Sequence, residues 1–268
     1  MNLTLVNSTF LAYLITVILY LFYVLSKNNK VAFLAYVTFI HGFAFNVVAI
    51  SKRWFDSGYP PFSNMYETML FWAFSIALIH IIFEKIYNLK KIGIFSALLA
   101  LSSIAYASFF ADDKVMPLIP ALQSNWLITH VVSYFIGYGA LAISFVTSIL
   151  FFLKVFKDID FNNITYKLIS FAFPFLTIGL VTGSIWAKEA WGDYWSWDPK
   201  EMWSLITWIV YLNYLHLPKT LPNVMKKFNI DNKYKLIIIN VFATIGFIFV
   251  LFTYIGVNFL LSGLHSYA

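Results

Sequence analysis

The chain contains no cysteine, which excludes a disulfide framework, a thiolate metal site and a thiol nucleophile. Charge is scarce too. Asp, Glu, Lys and Arg make up 11% of the residues, less than half of the roughly 25% usual in soluble domains. With 8 prolines and 11 glycines in 268 residues, the chain is neither collagenous nor of low complexity. What fills it is apolar: 61% of residues are hydrophobic and the mean hydropathy is +0.77. A water-soluble fold of that composition would expose larger apolar areas than soluble monomers carry. Soluble, disordered and coiled-coil readings fall together, and an all-α integral membrane protein is left.

A span needs about 20 mostly apolar residues to cross a hydrocarbon core roughly 30 Å thick. Eight segments qualify, near 8–26, 32–51, 66–83, 92–110, 126–153, 164–186, 200–217 and 236–261. The first has no basic flank and no small-residue cleavage site, so it is expected to be a retained span rather than a signal peptide. No linker or internal repeat interrupts the series, and residues 1–268 are expected to form a single polytopic domain.

The charges orient it. Loops after spans one, three, five and seven, with the adjoining helix ends, hold 13 of the 18 basic residues and four of the 12 acidic ones. The alternate face holds only Lys52, Arg53, Lys114, Lys188 and Lys200, against eight acidic residues. The positive-inside rule makes the Lys-rich face cytoplasmic. Both termini then point outward, as an even number of spans demands. The net charge of +6 thus follows from membrane orientation, and no nucleic-acid partner is expected.

Six of the nine tryptophans fall between Trp186 and Trp208. The centre reads WGDYWSWDPKEMW, from Trp191 to Trp203, in the outward loop between spans six and seven. One or two tryptophans there would be an interfacial aromatic belt. Four within 13 residues, interleaved with Gly192, Asp193, Asp198 and Pro199, exceed a belt. Indoles offer flat, rigid faces to a planar aromatic ligand while each N–H finds a partner. Asp198 suits the N-cap of the seventh helix, Pro199 its first position and Glu201 the closing of a capping box. The positive end of that helix faces the platform, suited to ligand carboxylates, with Lys188 and Lys200 adding charge.

The histidines are His41, His80, His130, His216 and His265. His130 lies near the outward end of span five and His265 follows span eight, so the topology gathers both on the face of the tryptophan loop. Either alone is an ordinary interfacial histidine. With the platform they look like two axial ligands for a haem iron, since imidazole suits iron through a neutral ring nitrogen. His216 and His80 lie near the inward ends of spans seven and three, where a snorkelling or capping histidine is ordinary, although ionisable groups inside a membrane are functional candidates by default. His41 is nearer mid-membrane, and a helix–helix hydrogen bond is expected for it. A further outward motif, Ser63-Asn64-Met65-Tyr66-Glu67, reads as a capped helix start. Its Glu67 is a candidate carboxylate for the outer site.

The WGDYWSWDPKEMW segment resembles the Trp-rich (WWD) signature of the haem-handling membrane proteins of cytochrome c maturation. Its continuation through Asp198-Pro199-Lys200-Glu201, Trp203 and Tyr214-Leu215-His216 looks like the CcsA (ResC) branch of that family. So do SNMYE at Ser63–Glu67, the His130 region and Gly263-Leu264-His265-Ser266-Tyr267. The resemblance runs from about residue 40 to the C-terminus. It implies a subunit of a system II cytochrome c synthase that receives haem b across the membrane and presents it for thioether attachment to the CXXCH segment of an apocytochrome c. It further implies that His130 and His265 are the outer axial ligands and that His216 is a ligand of a transmembrane haem. Trp191, Gly192, Trp195, Trp197 and Asp198 would form the platform, with Trp186, Trp203 and Glu67 beside it. The implied partners are the CcsB (ResB) membrane subunit, the apocytochrome, a thiol-reducing protein and membrane lipid. The implied location is the bacterial inner membrane with a periplasmic active face, or the thylakoid membrane for a plastid-encoded chain. The alternatives are a haem exporter or delivery subunit without synthase activity, a b-type electron-transfer protein, whose two haems would need four internal histidines, and a solute transporter, which usually carries inverted repeats or broken helices.

Overall fold

The computed structural model describes residues 2–231 and 234–264. Eight long helices follow one another: α1 (Asn2–Ser26), α2 (Asn29–Ser57), α3 (Met65–Tyr87), α4 (Gly93–Phe109), α5 (Asn125–Leu153), α6 (Phe161–Trp191), α7 (Pro199–Lys227) and α8 (Lys235–Leu251). The last runs through a π-helical turn at Phe252–Gly256 into a short α9 (Val257–Leu260). Among the described residues there is no strand. Every expected span is a helix, and the chain is an all-α integral membrane protein.

Six helices are long and apolar enough to cross a membrane. The other two depart in opposite ways. α4 is apolar but only 17 residues long. α7 is long but carries Lys200, Glu201, Asn213, His216 and Lys219, and it runs through Pro218 and Pro222 well past its expected end at 217. Neighbouring groups re-satisfy the backbone around proline in membrane helices, which allows this. Several helices outrun their spans because caps, not the hydrocarbon edge, terminate them. Asn28 caps the start of α2, and Gly58 closes its end in the left-handed conformation at φ 76°.

Contacts group the helices into two compact units, α1 to α4 and α5 to α9. In the first, α1 lies along α2 and α4, and α3 packs on α2 and α4. Close approach rests on tyrosines seated against bare backbone, as membrane helices favour. The ring of Tyr13 covers Gly42 and that of Tyr20 covers Gly93, so a Cβ at either glycine would overlap a ring. The Tyr20 hydroxyl donates to Glu84 Oε2, which also lies 2.8 Å from His80 Nε2. His80 is therefore fully buried, not snorkelling at an interface as its sequence position suggests. Its Glu84 partner one turn on and a tyrosine from α1 give Nε2 an interior site, while Nδ1 is buried with no hydrogen-bond partner among the described residues.

At the opposite end of this unit Arg53 Nε donates to Glu67 Oε1 at 2.8 Å. The other guanidinium nitrogens donate to the carbonyls of Asp113 (2.6 Å) and Lys114 (3.0 Å), fastening the segment after α4. Both partners of the pair are almost completely buried. Removing one strands the other, which costs about 3–5 kcal/mol. Arg53→Met should therefore lower the unfolding temperature of the purified protein sharply, and adding Glu67→Gln should recover much of the loss. Equal stability of Arg53→Met and wild type would contradict this account of the pair.

In the second unit α5 and α6 form the closest pair, α8 packs on α5 and α7, and α7 on α6. One end of the unit is tied by Thr147 Oγ1 to Thr165 Oγ1 (2.6 Å) and by Asn240 Nδ2 to Asn162 Oδ1. The other end holds the tryptophans.

Candidate functional site

At that end the start of α5, the end of α6, the start of α7 and the chain after α9 come together. The Ser124 hydroxyl caps the N-terminus of α5 through Trp126 N–H (3.1 Å) and donates to Glu189 near the end of α6.

His130, on the second turn of α5, is half-buried. Its Nδ1 lies 2.8 Å from the Gly179 carbonyl of α6. A carbonyl only accepts, so Nδ1 carries the proton and the lone pair sits on Nε2. The same second bond fixes the tautomer and ring direction of metal-ligating histidines. The ring lies directly on the α6 backbone, where a Cβ at Gly183 would overlap it. Trp186, on the same face of α6, stands 5.5 Å away tilted by 39°, and Tyr134 meets the ring edge at 4.9 Å. Trp191 continues the aromatic wall, 4.9 Å from Trp186. Gly179 and Gly183 are absent from the residues picked out of the sequence. The signal was there, because Gly179-Leu180-Val181-Thr182-Gly183 is a GxxxG pattern, the mark of close approach between membrane helices.

α6 stops at Gly192, left-handed at φ 96°, with its N–H on the Lys188 carbonyl at 3.1 Å. Lys188 Nζ returns to the Gly192 carbonyl, so this cation closes a helix end. After the turn, Trp195 and Trp197 meet edge to face at 5.9 Å. The capping box expected at Asp198 and Glu201 is present, and it does more than begin α7. Glu201 Oε2 accepts from the N–H of Ser196 (2.8 Å) and of Asp198 (3.1 Å), the two groups flanking Trp197. This clasp holds Trp197 at φ 59°, a conformation unusual for a bulky side chain and common at ligand clamps. The indole of Trp197 is 67% exposed. Among the described residues the Trp195 Nε1–H is buried without a partner, although buried indole donors are normally paired.

The remaining tryptophans of the cluster go elsewhere. Trp203 packs on Phe252 (4.4 Å) and Phe249 (5.4 Å). Trp208 packs on Phe173 of α6 at 5.3 Å and donates to Thr177 Oγ1 at 2.9 Å. Lys200 Nζ donates to Asn258 Oδ1 at 2.8 Å, so neither expected cation stands loose beside the platform. Glu67 belongs to the first unit, where Arg53 and the Ser63 N–H and hydroxyl (each 2.8 Å) bind its carboxylate.

His216 lies 17 residues past Pro199, roughly 25 Å along α7. It is exposed, on a stripe with Ile209 and Asn213. His41 is exposed as well. Its Nδ1 lies 2.8 Å from the Val37 carbonyl one turn back, so the bond expected with another helix is made within its own. His265 lies outside the described residues.

With a half-buried imidazole beside indole rings and a clasped, exposed tryptophan at one end of its second unit, the chain is a polytopic membrane protein. The family model described as cytochrome C assembly protein matches residues 62–265, and the chain belongs to that family, in the CcsA branch. It is 34% identical to the cytochrome c biogenesis protein CcsA of Mesostigma viride, over 98% of this chain and 95% of that one. It is 40% identical to the Chlamydomonas reinhardtii CcsA, over 82% and 64%, and 32% to the Synechococcus elongatus CcsA, over 81% and 82%. Among solved structures it shares its fold with a cytochrome c haem lyase, CcmF, at a TM-score of 0.70 and 16% identity. That match covers 98% of this chain and 47% of the other, so the chain spans just under half the length of that structure.

Proposed function

We propose that the chain is the haem-binding membrane subunit of a cytochrome c synthase, acting with a CcsB-type partner. In this reading it accepts haem b through the membrane and holds it at an outward site while an apocytochrome CXXCH segment is joined to it. The observation that carries the reading is His130, whose Nδ1–H bond to the Gly179 carbonyl fixes the direction of the ring, as a second bond does for histidines that hold a metal. The residues present suit the group. His130 would hold the iron through a ring nitrogen, Trp186, Trp191 and Trp197 would offer flat apolar faces, and the buried Trp195 N–H would donate to an acceptor such as a haem carboxylate. His265 is proposed as the opposite axial ligand and His216 as a ligand of an inner haem. The exposed face around His216 suits a second histidine from CcsB, since exposed Asn213 and His216 on a membrane helix are poorly matched to lipid.

When bound, haem would supply two vinyl groups, across each of which a cysteine S–H of the apocytochrome would add with no leaving group. The protein's contribution is positioning. Rigid indole faces would orient the group and His130 would hold its iron, while the Glu201 clasp holds the exposed Trp197 in place. Holding reactants in near-attack geometry supplies several kcal/mol without acid–base chemistry. A chain without cysteine offers no thiol to compete. On the orientation given by the lysines, the site opens on the periplasmic face of an inner membrane or its thylakoid equivalent.

Trp195→Ala and Trp197→Ala test the platform. Each removes a ring from a loop while leaving helix packing intact, so membrane levels should match wild type and haem per protein should fall several-fold. Full haem content in both would return these rings to an interfacial belt.

A further inference from the structure

α7 does not stop where its apolar run stops. It continues through Pro218 and Pro222 to Lys227, and its exposed face changes character on the way. Asn213, His216, Thr220, Asn223 and Lys227 are all exposed and spaced by three or four residues, so they form one line along the helix. Lys219 and Lys226, exposed too and seven residues apart, run along one edge of that line. The line ends on bare apolar surface. Val224, Phe228 and Ile230 are 46%, 66% and 41% exposed, and Lys227 Nζ stands 5.9 Å from the centre of the Phe228 ring. The two lysines of the last turn answer the negative end of the helix, and all three suit the Lys-rich face. Neither reason calls for bulky apolar side chains left open among them. Among the described residues no carboxylate pairs with any of the three lysines, so their charge is free for an anion from outside the chain.

We infer that the last turns of α7 are an entry site for haem, where Lys219, Lys226 and Lys227 take its two carboxylates and Val224 and Phe228 meet its apolar face, before it passes along the exposed line to His216. The inference rests on the reading of His216 as the inner haem ligand and adds the place where haem first binds. A planar, apolar dianion needs what this surface combines: cations on flexible stems that can follow two carboxylates, and open apolar area beside them. Lys227 lies 11 residues past His216, about 16 Å along the same helix. Capture and ligation are then successive stations on one rigid element, and the overrun of α7 beyond its apolar run acquires a purpose.

The test is stopped-flow absorption of haem loading, with the full chain and its CcsB-type partner in phosphatidylcholine nanodiscs. The signal is the part of the haem spectrum that His216→Ala abolishes. Lys219→Gln, Lys226→Gln and Lys227→Gln combined should slow haemin loading about tenfold at low salt, the scale of electrostatic capture, and leave the final spectrum as in wild type. Arginine at the same three positions should keep the wild-type rate. Haemin dimethyl ester, which has no free carboxylate, should load wild type and the Gln variant equally fast. Added salt should bring wild type down toward the Gln variant, and Phe228→Ala should slow haemin and ester alike. Equal haemin rates in wild type and the Gln variant would overturn the entry site. A difference confined to phosphatidylglycerol discs would overturn it in favour of a lipid-headgroup contact. If His216→Ala leaves the spectrum unchanged, the inner-ligand reading fails. The rate of total haem uptake, haemin against ester in the same two proteins, then still decides whether the lysines capture it.

Discussion

Replacing His130 with glycine should empty the outer haem site, and added imidazole should refill it. The ring occupies a slot bounded by the bare backbone at Gly183, the Trp186 face and Tyr134. Removing it leaves a space of imidazole's own shape, with the Gly179 carbonyl in place to accept an N–H. A glycine inside α5 costs about 1 kcal/mol relative to alanine, too little to unfold a helix packed along α6. Loss of an axial ligand should exceed the 10–100-fold effect usual for a residue that merely orients one. Synthase activity with a reporter should fall by more than about two orders of magnitude and recover substantially with imidazole. Gly183→Ala gives a contrasting result. It displaces the ring without vacating the slot, so activity should fall and imidazole should not restore it. Normal maturation of cytochromes by His130→Gly would remove His130 from the site.

His216→Ala should lower haem at both proposed sites, whereas His130→Ala should spare the inner one. The outer platform begins where α7 begins, and His216 lies roughly 25 Å further along the helix, too far to touch the same haem. Two sites on one helix imply an order. If haem enters from the Lys-rich side, loss of the inner ligand starves the outer site, and loss of the outer ligand leaves the inner site loaded. Haem quantification in each variant, co-expressed with CcsB, makes the comparison. A several-fold fall at both sites is expected for His216→Ala. A His216→Ala protein with a full outer site would mean that haem arrives by another route.

The helices were legible in the sequence because a bilayer imposes a length and an apolarity that eight segments meet. Local caps were legible for a similar reason: Asp198-Pro199-Lys200-Glu201 carries its geometry within four residues. What the sequence hid lies between distant residues. His80 looks interfacial until Tyr20, far back on α1, completes its buried cluster with Glu84. Trp203 looks like part of the platform, and only the packing of α8 against α7 turns it toward Phe252. The orientation of His130 depends on a carbonyl 49 residues away, although the paired glycines flanking that contact mark where α5 and α6 touch. α7 was hardest to bound, since its apolar run ends near 217 while the helix continues through Pro218 and Pro222 to Lys227.

The most direct measurement is covalent haem on a reporter. A CXXCH-bearing apocytochrome, co-expressed with this chain and CcsB in cells lacking their own maturation system, should be recovered with haem that survives denaturing electrophoresis. It should be absent when the chain carries His130→Gly, and return when imidazole is supplied. A reporter that acquires no covalent haem beside a haem-loaded wild-type chain would contradict synthase function and leave a haem delivery subunit.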